Sequence, residues 1–106
     1  MGFFNFFGGG GDSGKIAEYL DKGAVIIDVR TPMEFDEGHV PGSVNIPLQQ
    51  ITARVAEIKK FNKPVIACCR SGARSGNATT FLNGKGIDTI NGGPWQTVDS
   101  ALKAKK

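Results

Sequence analysis

Pro64-Val65-Ile66-Ala67-Cys68-Cys69 runs straight into Arg70-Ser71-Gly72-Ala73-Arg74-Ser75. The first half is a continuous apolar run of strand length, which predicts a strand buried on both faces. The second half is a turn of small residues in which a helix begins. The helical pattern runs from Ala73 to about Lys85, with Phe81 and Leu82 inward and Gly84 or Gly86 ending it.

The same alternation continues on both sides. Upstream, Asp12 and Ser13 cap a short helix with Ile16, Ala17 and Leu20 on one face, and Gly23 ends it. Ala24-Val25-Ile26-Ile27-Asp28-Val29 is a second buried strand. Thr31 and Pro32 open a helical turn as cap and first helical residue, and Gly38 closes it. Ser43 to Ile46 is a short strand stopped by Pro47, and Ile51 to Ile58 reads as a helix with Ile51, Val55 and Ile58 inward. Downstream, Ile87 to Ile90 is a short strand, Gly92-Gly93-Pro94 a hard turn, and Trp95 to about Leu102 a last helix. Helices alternating with short apolar strands predict an α/β fold, an open parallel sheet with helices on both faces. Such sheets bind ligands at the C-terminal ends of their strands, and the two clearest strands end at Arg30 and Cys69.

The chain has 106 residues, 40% hydrophobic and 22% charged, which fits one globular domain. Its two cysteines are neighbours, so a disulfide scaffold and a normally spaced zinc site are both excluded. A Ser-His-Asp triad would have to use His39, the only histidine. This cysteine usage predicts a reduced, cytoplasmic protein. Of the net charge of +3, Lys103, Lys105 and Lys106 supply the whole excess. The body is neutral and has no basic stripe with aromatics, so no nucleic-acid partner is expected.

Six of the 15 glycines and four of the seven phenylalanines (Phe3, Phe4, Phe6 and Phe7) fall in the first 14 residues. Residues 1–14 are therefore expected to be an aromatic arm and glycine linker, 15–102 the domain, and 103–106 a basic tail. The arm lacks the basic start of a secretory signal and is too short to span a bilayer. It is expected to fold back or fray; the alternative is an anchor for weak self-association, a partner or a membrane surface.

A thiol at the end of a buried strand, followed by a turn and a helix N-terminus, meets converging N–H groups and positive partial charge. Arg70 and Arg74 add full charges nearby. These features predict a Cys69 pKa well below the free value of about 8.5, and a thiolate that needs no histidine base. Cys68 should point to the opposite face as a small buried residue.

These residues resemble the rhodanese-like, single-domain sulfurtransferase family over roughly residues 15–102. The resemblance rests on Val25 to Phe35 followed by Gly38 to Pro47, on Cys69-Arg70-Ser71-Gly72-Ala73-Arg74-Ser75, and on Gly92-Gly93 followed by Trp95. It implies a parallel sheet of four or five strands, since the family's short first strand has no clear counterpart ahead of Ile16. It implies that Cys69 takes a sulfane sulfur from a small anionic donor such as thiosulfate and passes it, as a persulfide, to a thiol or protein acceptor. The Arg70–Ser75 loop would cradle the sulfur, with Arg70 and Arg74 holding the donor's anionic end. No metal or organic cofactor is implied. Trp95 follows the double glycine sooner than in the family pattern, so a different start to the last helix is expected. Asp28, Arg30 and Glu34 are expected to form a partly buried ion-pair network, with His39 fixing a loop.

A phosphatase or arsenate reductase on the same fold needs five residues between Cys and Arg. Cys69 to Arg74 has four, and only Cys68 to Arg74 has five. Two further alternatives are a non-catalytic binding or regulatory domain and a redox sensor closing a strained Cys68–Cys69 disulfide.

Overall fold

The computed structural model describes residues 13–105. The expected cluster at Phe3, Phe4, Phe6 and Phe7 lies outside them. The helices are α1 (Ser13–Asp21), α2 (Pro32–Glu37), α3 (Leu48–Ile51), α4 (Val55–Lys60), α5 (Ala73–Gly84) and α6 (Trp95–Ala104). The strands are β1 (Val25–Asp28), β2 (Val44–Asn45), β3 (Val65–Cys69) and β4 (Thr89–Pro94). They form a four-stranded parallel sheet in the order β2-β1-β3-β4. Among the described residues the sheet therefore has the smaller of the two expected strand numbers.

Because side chains alternate across a strand, β1 and β3 feed two apolar layers. Ile26, Ile66 and Cys68 join Ile16, Tyr19, Val40 and Val98 under α1 and α6. Ile27, Val65, Ala67 and Cys69 join Ile51, Ile58, Ala78 and Leu82 under α3, α4 and α5. One-residue alternation thus sends Cys68 and Cys69 to opposite sides of the sheet.

Two elements differ from the sequence reading. Gly92-Gly93-Pro94 is not a turn but the second half of β4. The β3–β4 register steps from Ala67↔Asn91 to Cys68↔Gly93, so Gly92 is an extra residue in a bulge. A Cβ on Gly92 would lie 2.6 Å from Val98 Cγ2 and 2.8 Å from Ile66 Cγ2. Glycine is required there because α6 presses onto the sheet, not because the chain reverses. Helical structure also starts earlier than Ile51: Pro47 leads into α3 at Leu48, a 3₁₀ turn spans Thr52–Arg54, and α4 ends at Lys60.

The expected start of α2 is present. The Thr31 hydroxyl accepts from Glu34 N at 3.2 Å, and Glu34 Oε1 accepts from Thr31 N at 3.0 Å, a reciprocal capping box. It anchors Glu34 at the C-terminal end of the sheet.

Candidate active site

The loop Arg70-Ser71-Gly72 links Cys69, the last residue of β3, to α5. Gly72 has φ 102°, a left-handed conformation that is costly for residues with a Cβ. That turn aims the Gly72 N–H back at Cys69 Sγ, at 3.0 Å. Ser75 N–H also points at the sulfur, at 3.4 Å, and Ser75 Oγ lies 3.3 Å from it. Burial raises the Cys69 thiol pKa, but hydrogen bonds from the Ser75 hydroxyl and from the N–H groups of Ser75, Gly72 and Ser71 outweigh it, and the net shift is downward. The shift has the expected direction, and its leading causes are neutral donors, not the two arginines.

Cys68 is the opposite case. Burial first, then the nearby Asp28 carboxylate, pushes its thiol far above the usual range. The five-residue spacing from Cys68 to Arg74 consequently joins residues from opposite faces of the sheet, and it presents no reactive sulfur to the loop.

Arg74 grips Glu34 with both guanidinium nitrogens, Nη1 to Oε1 at 2.8 Å and Nη2 to Oε2 at 3.0 Å. This bidentate geometry is the strong form of the interaction. The hydrogen bond from Arg74, followed by that from Thr31 N–H, holds the Glu34 carboxyl well below the usual carboxylate range. Arg70 Nη1 approaches the same carboxylate at 3.6 Å with its side chain 69% exposed. Of the two arginines expected at an anion, Arg74 is thus committed to Glu34, whereas Arg70 reaches solvent.

The expected network of Asp28, Arg30 and Glu34 divides in two. Asp28 and Arg30 form a buried pair, with Arg30 Nη2 at 2.7 Å from Oδ2 and Nε at 2.9 Å from Oδ1. Arg30 also donates to the Glu34 carbonyl at 3.1 Å and to the Gly38 carbonyl at 2.7 Å. It therefore pins α2 and the following loop to the end of β1. The Glu34 side chain belongs instead to the Cys69 loop. His39 fixes a loop as expected: its Nδ1 donates to the Phe35 carbonyl at 2.7 Å, and its ring stacks on Phe35 at 3.7 Å.

Asn91, which the sequence reading passed over, ties the cradle to β4. Its Nδ2 donates to the Gly72 carbonyl at 3.0 Å, and its Oδ1 accepts from the Ser75 hydroxyl at 2.7 Å and from Gly93 N–H at 2.9 Å. Strand alternation places Asn91 on the Cys69 side, but the turn-like Gly92-Gly93-Pro94 that follows masks the continuation of the strand past Ile90.

Beside the loop, Arg30, Glu37, Gly38, Arg70, Trp95 and Gln96 outline a cleft of about 220 Å³. Trp95 is the first residue of α6, directly after Pro94. The Arg30 guanidinium sits 5.3 Å from its ring centroid, and a Cβ on Gly38 would lie 3.3 Å from its edge. The early tryptophan therefore serves as a wall of this cleft. A larger cavity of about 650 Å³, lined in part by Lys59, Lys63 and Lys85, lies where β3 and β4 begin, at the opposite end of the sheet from Cys69. Among the described residues no cluster of His, Cys, Asp and Glu is arranged to hold a metal ion, and no helix is long and apolar enough to cross a membrane.

A parallel sheet ending in a cysteine cradled by its own loop defines a class, and residues 13–93 match the rhodanese-like domain; the chain belongs to that family. It is 41% identical over 85 residues to the uncharacterized protein YqhL of Bacillus subtilis, covering 78% of this chain and 67% of that one. It is 33% identical over 70 residues to the thiosulfate sulfurtransferase GlpE of Pseudomonas syringae, covering 66% and 65%. Among solved structures, a rhodanese with anions from Escherichia coli superposes with a TM-score of 0.64 at 33% identity, covering 70% and 89%. At the level of the family, these likenesses support a rhodanese-type enzyme.

Proposed function

We propose that the protein is a sulfurtransferase that moves a sulfane sulfur from a donor such as thiosulfate to a thiol through a persulfide on Cys69. The observation that carries this reading is the set of N–H groups aimed at Cys69 Sγ, from Gly72 at 3.0 Å and Ser75 at 3.4 Å. They stabilise a thiolate without a base, and they leave a cradle for the charge on a terminal sulfur.

In the first half-reaction the Cys69 thiolate attacks the sulfane sulfur of thiosulfate. A bond forms between Sγ and that sulfur, the sulfur–sulfur bond of the donor breaks, and sulfite leaves with the electron pair. In the second, an acceptor thiolate attacks the outer sulfur of the persulfide. A new persulfide leaves on the acceptor, and the electron pair of the broken bond returns to Cys69 as thiolate. Sulfur is transferred, and no external oxidant or reductant is consumed.

Arg70, exposed beside the cleft, is the cation that meets the donor's anionic end. Arg74, clamped by Glu34, holds the loop around the sulfur. The spacing of four residues between Cys69 and Arg74 gives a loop tighter than phosphoryl or arsenate chemistry needs. The anions held by the Escherichia coli structure, the activity named for the Pseudomonas relative and the geometry of Cys69 all favour the same reading. A reducing compartment such as the cytoplasm suits a thiol that must stay free between turnovers.

The test is mass spectrometry after thiosulfate treatment. The expected result is a gain of about 32 Da, one covalently held sulfur atom, on the peptide carrying both cysteines, lost on adding a thiol acceptor. No adduct, together with hydrolysis of an aryl phosphate, would replace the assignment with a phosphatase.

A further inference from the structure

Asn91 sits at the one irregular step of the β3–β4 pairing, opposite Ala67 and immediately before the bulged Gly92. Asn91 pairs with Ala67, which faces the Cys69 layer, and its amide contacts both Gly72 and Ser75, two of the three residues whose N–H groups donate to Cys69 Sγ. One side chain therefore ties two of the donor residues of the cradle to β4.

The proton count adds a second role. Ser75 Oγ lies 2.7 Å from Asn91 Oδ1 and 3.3 Å from Cys69 Sγ. A hydroxyl has one proton. While that proton is on Asn91, the contact between Ser75 Oγ and sulfur must be made by the thiol's own proton. Once the thiol is ionised, the contact persists only if the Ser75 proton turns to sulfur. Asn91 Oδ1 also accepts from Gly93 N–H at 2.9 Å, so the turn strands no acceptor.

We propose that Asn91 is a positioning residue for Cys69: it holds Gly72 and Ser75 around the sulfur and is the resting acceptor from which the Ser75 hydroxyl turns to Sγ as negative charge forms. The inference rests on Cys69 being the reactive thiol of the proposed function, but it does not require sulfur transfer. The charged and titratable groups around this thiol are Arg74 of α5 with its Glu34 partner on α2, Arg70 of the loop, Cys68 on the other face of β3, and Asp28 of β1.

The experiment is the pH dependence of Cys69 alkylation by iodoacetamide, read by mass on the 106-residue chain with the modified cysteine located by fragmentation. Asn91→Asp removes the donor to Gly72, offers Ser75 a stronger acceptor and places negative charge near the sulfur. Its inflection is expected to move to higher pH by a unit or more, a tenfold loss of thiolate below it. In a Ser75→Ala background the same substitution is expected to produce less than half that shift, because the hydroxyl route is gone. A folded Asn91→Asp protein with the wild-type inflection would overturn the proposal. So would an equal shift in both backgrounds, which is the signature of bare charge. Should Asn91→Asp not fold, the wild-type side-chain amide signals of Asn91 decide by NMR: an inflection at the pH of Cys69 ionisation supports the role, and pH-independent signals overturn it. Thiosulfate plays no part in these measurements, so they can fail while the sulfur adduct still forms, and the reverse.

Discussion

Cys68 and Cys69 share a peptide bond, and both are fully buried. Cys68 lies in the apolar layer under α1 and α6, where burial and Asp28 keep its proton on. Cys69 lies at the edge of the other layer, where the first turn of α5 points donors at it, and its pKa falls. Burial opposes ionisation at both sites; at Cys68 it prevails, and at Cys69 it is outweighed. What outweighs it at Cys69 is the Ser75 hydroxyl together with the N–H groups of Ser75, Gly72 and Ser71. The arginines, which a reading from charge alone would put first, act one step further out.

The comparison breaks most sharply on the sulfurs themselves. Cys69→Ser is expected to lower sulfur transfer by more than about a thousandfold, because it removes the nucleophile. Cys68→Ser should leave transfer within about threefold of wild type and cost about 1–3 kcal/mol in a denaturant titration, the cost of a hydroxyl in an apolar site. The reverse pattern of activities would exchange the two roles.

Next in size is Ser75→Ala, which removes a donor to a charged sulfur worth about 1.5–3 kcal/mol. The alkylation inflection of Cys69 should move to higher pH, and turnover at neutral pH should fall tenfold or more. Arg70→Ala is expected to raise KM for thiosulfate about fivefold, a share of one exposed ion pair with a dianion, while leaving the alkylation inflection unchanged. A shift of that inflection would show that Arg70 acts on the thiol and not on the donor.

The smallest effect is at Glu34. Its carboxyl is depressed in the folded state, so its contribution is fully present above the usual carboxylate pKa and is lost as pH falls through the folded value. Glu34→Gln should therefore be less stable than wild type by about 1 kcal/mol near neutral pH, the scale of a partly exposed pair, with the gap closing in acid. A gap that persists unchanged at low pH would assign Glu34 a role other than its charge.

Much of this was legible in the chain because it depends on local pattern. The two buried strands, the Thr31–Pro32 helix start and the strand–loop–helix at Cys69 follow from hydrophobic runs and cap residues. The opposite facing of Cys68 and Cys69 follows from strand alternation alone. Three features were not legible, each for a physical reason. Gly92, Gly93 and Pro94 have the composition of a turn, yet Gly92 answers to the close approach of Val98 and Ile66 from distant elements. The Glu34–Arg74 clamp joins residues 40 positions apart, and no local period encodes that pairing. Asn91 faces the cradle by ordinary strand alternation opposite Ala67, but Gly92-Gly93-Pro94 has the composition of a turn, which masks the continuation of the strand through Asn91.

The central contrast is tested most directly by measuring alkylation of both cysteines in the same folded molecules across pH, with the modified residue located by fragmentation. Modification of Cys69 alone, with an inflection below about 8.5, and no labelling of Cys68 until the protein unfolds is the predicted result. Equal labelling of the two, or labelling of Cys68 first, would contradict the account.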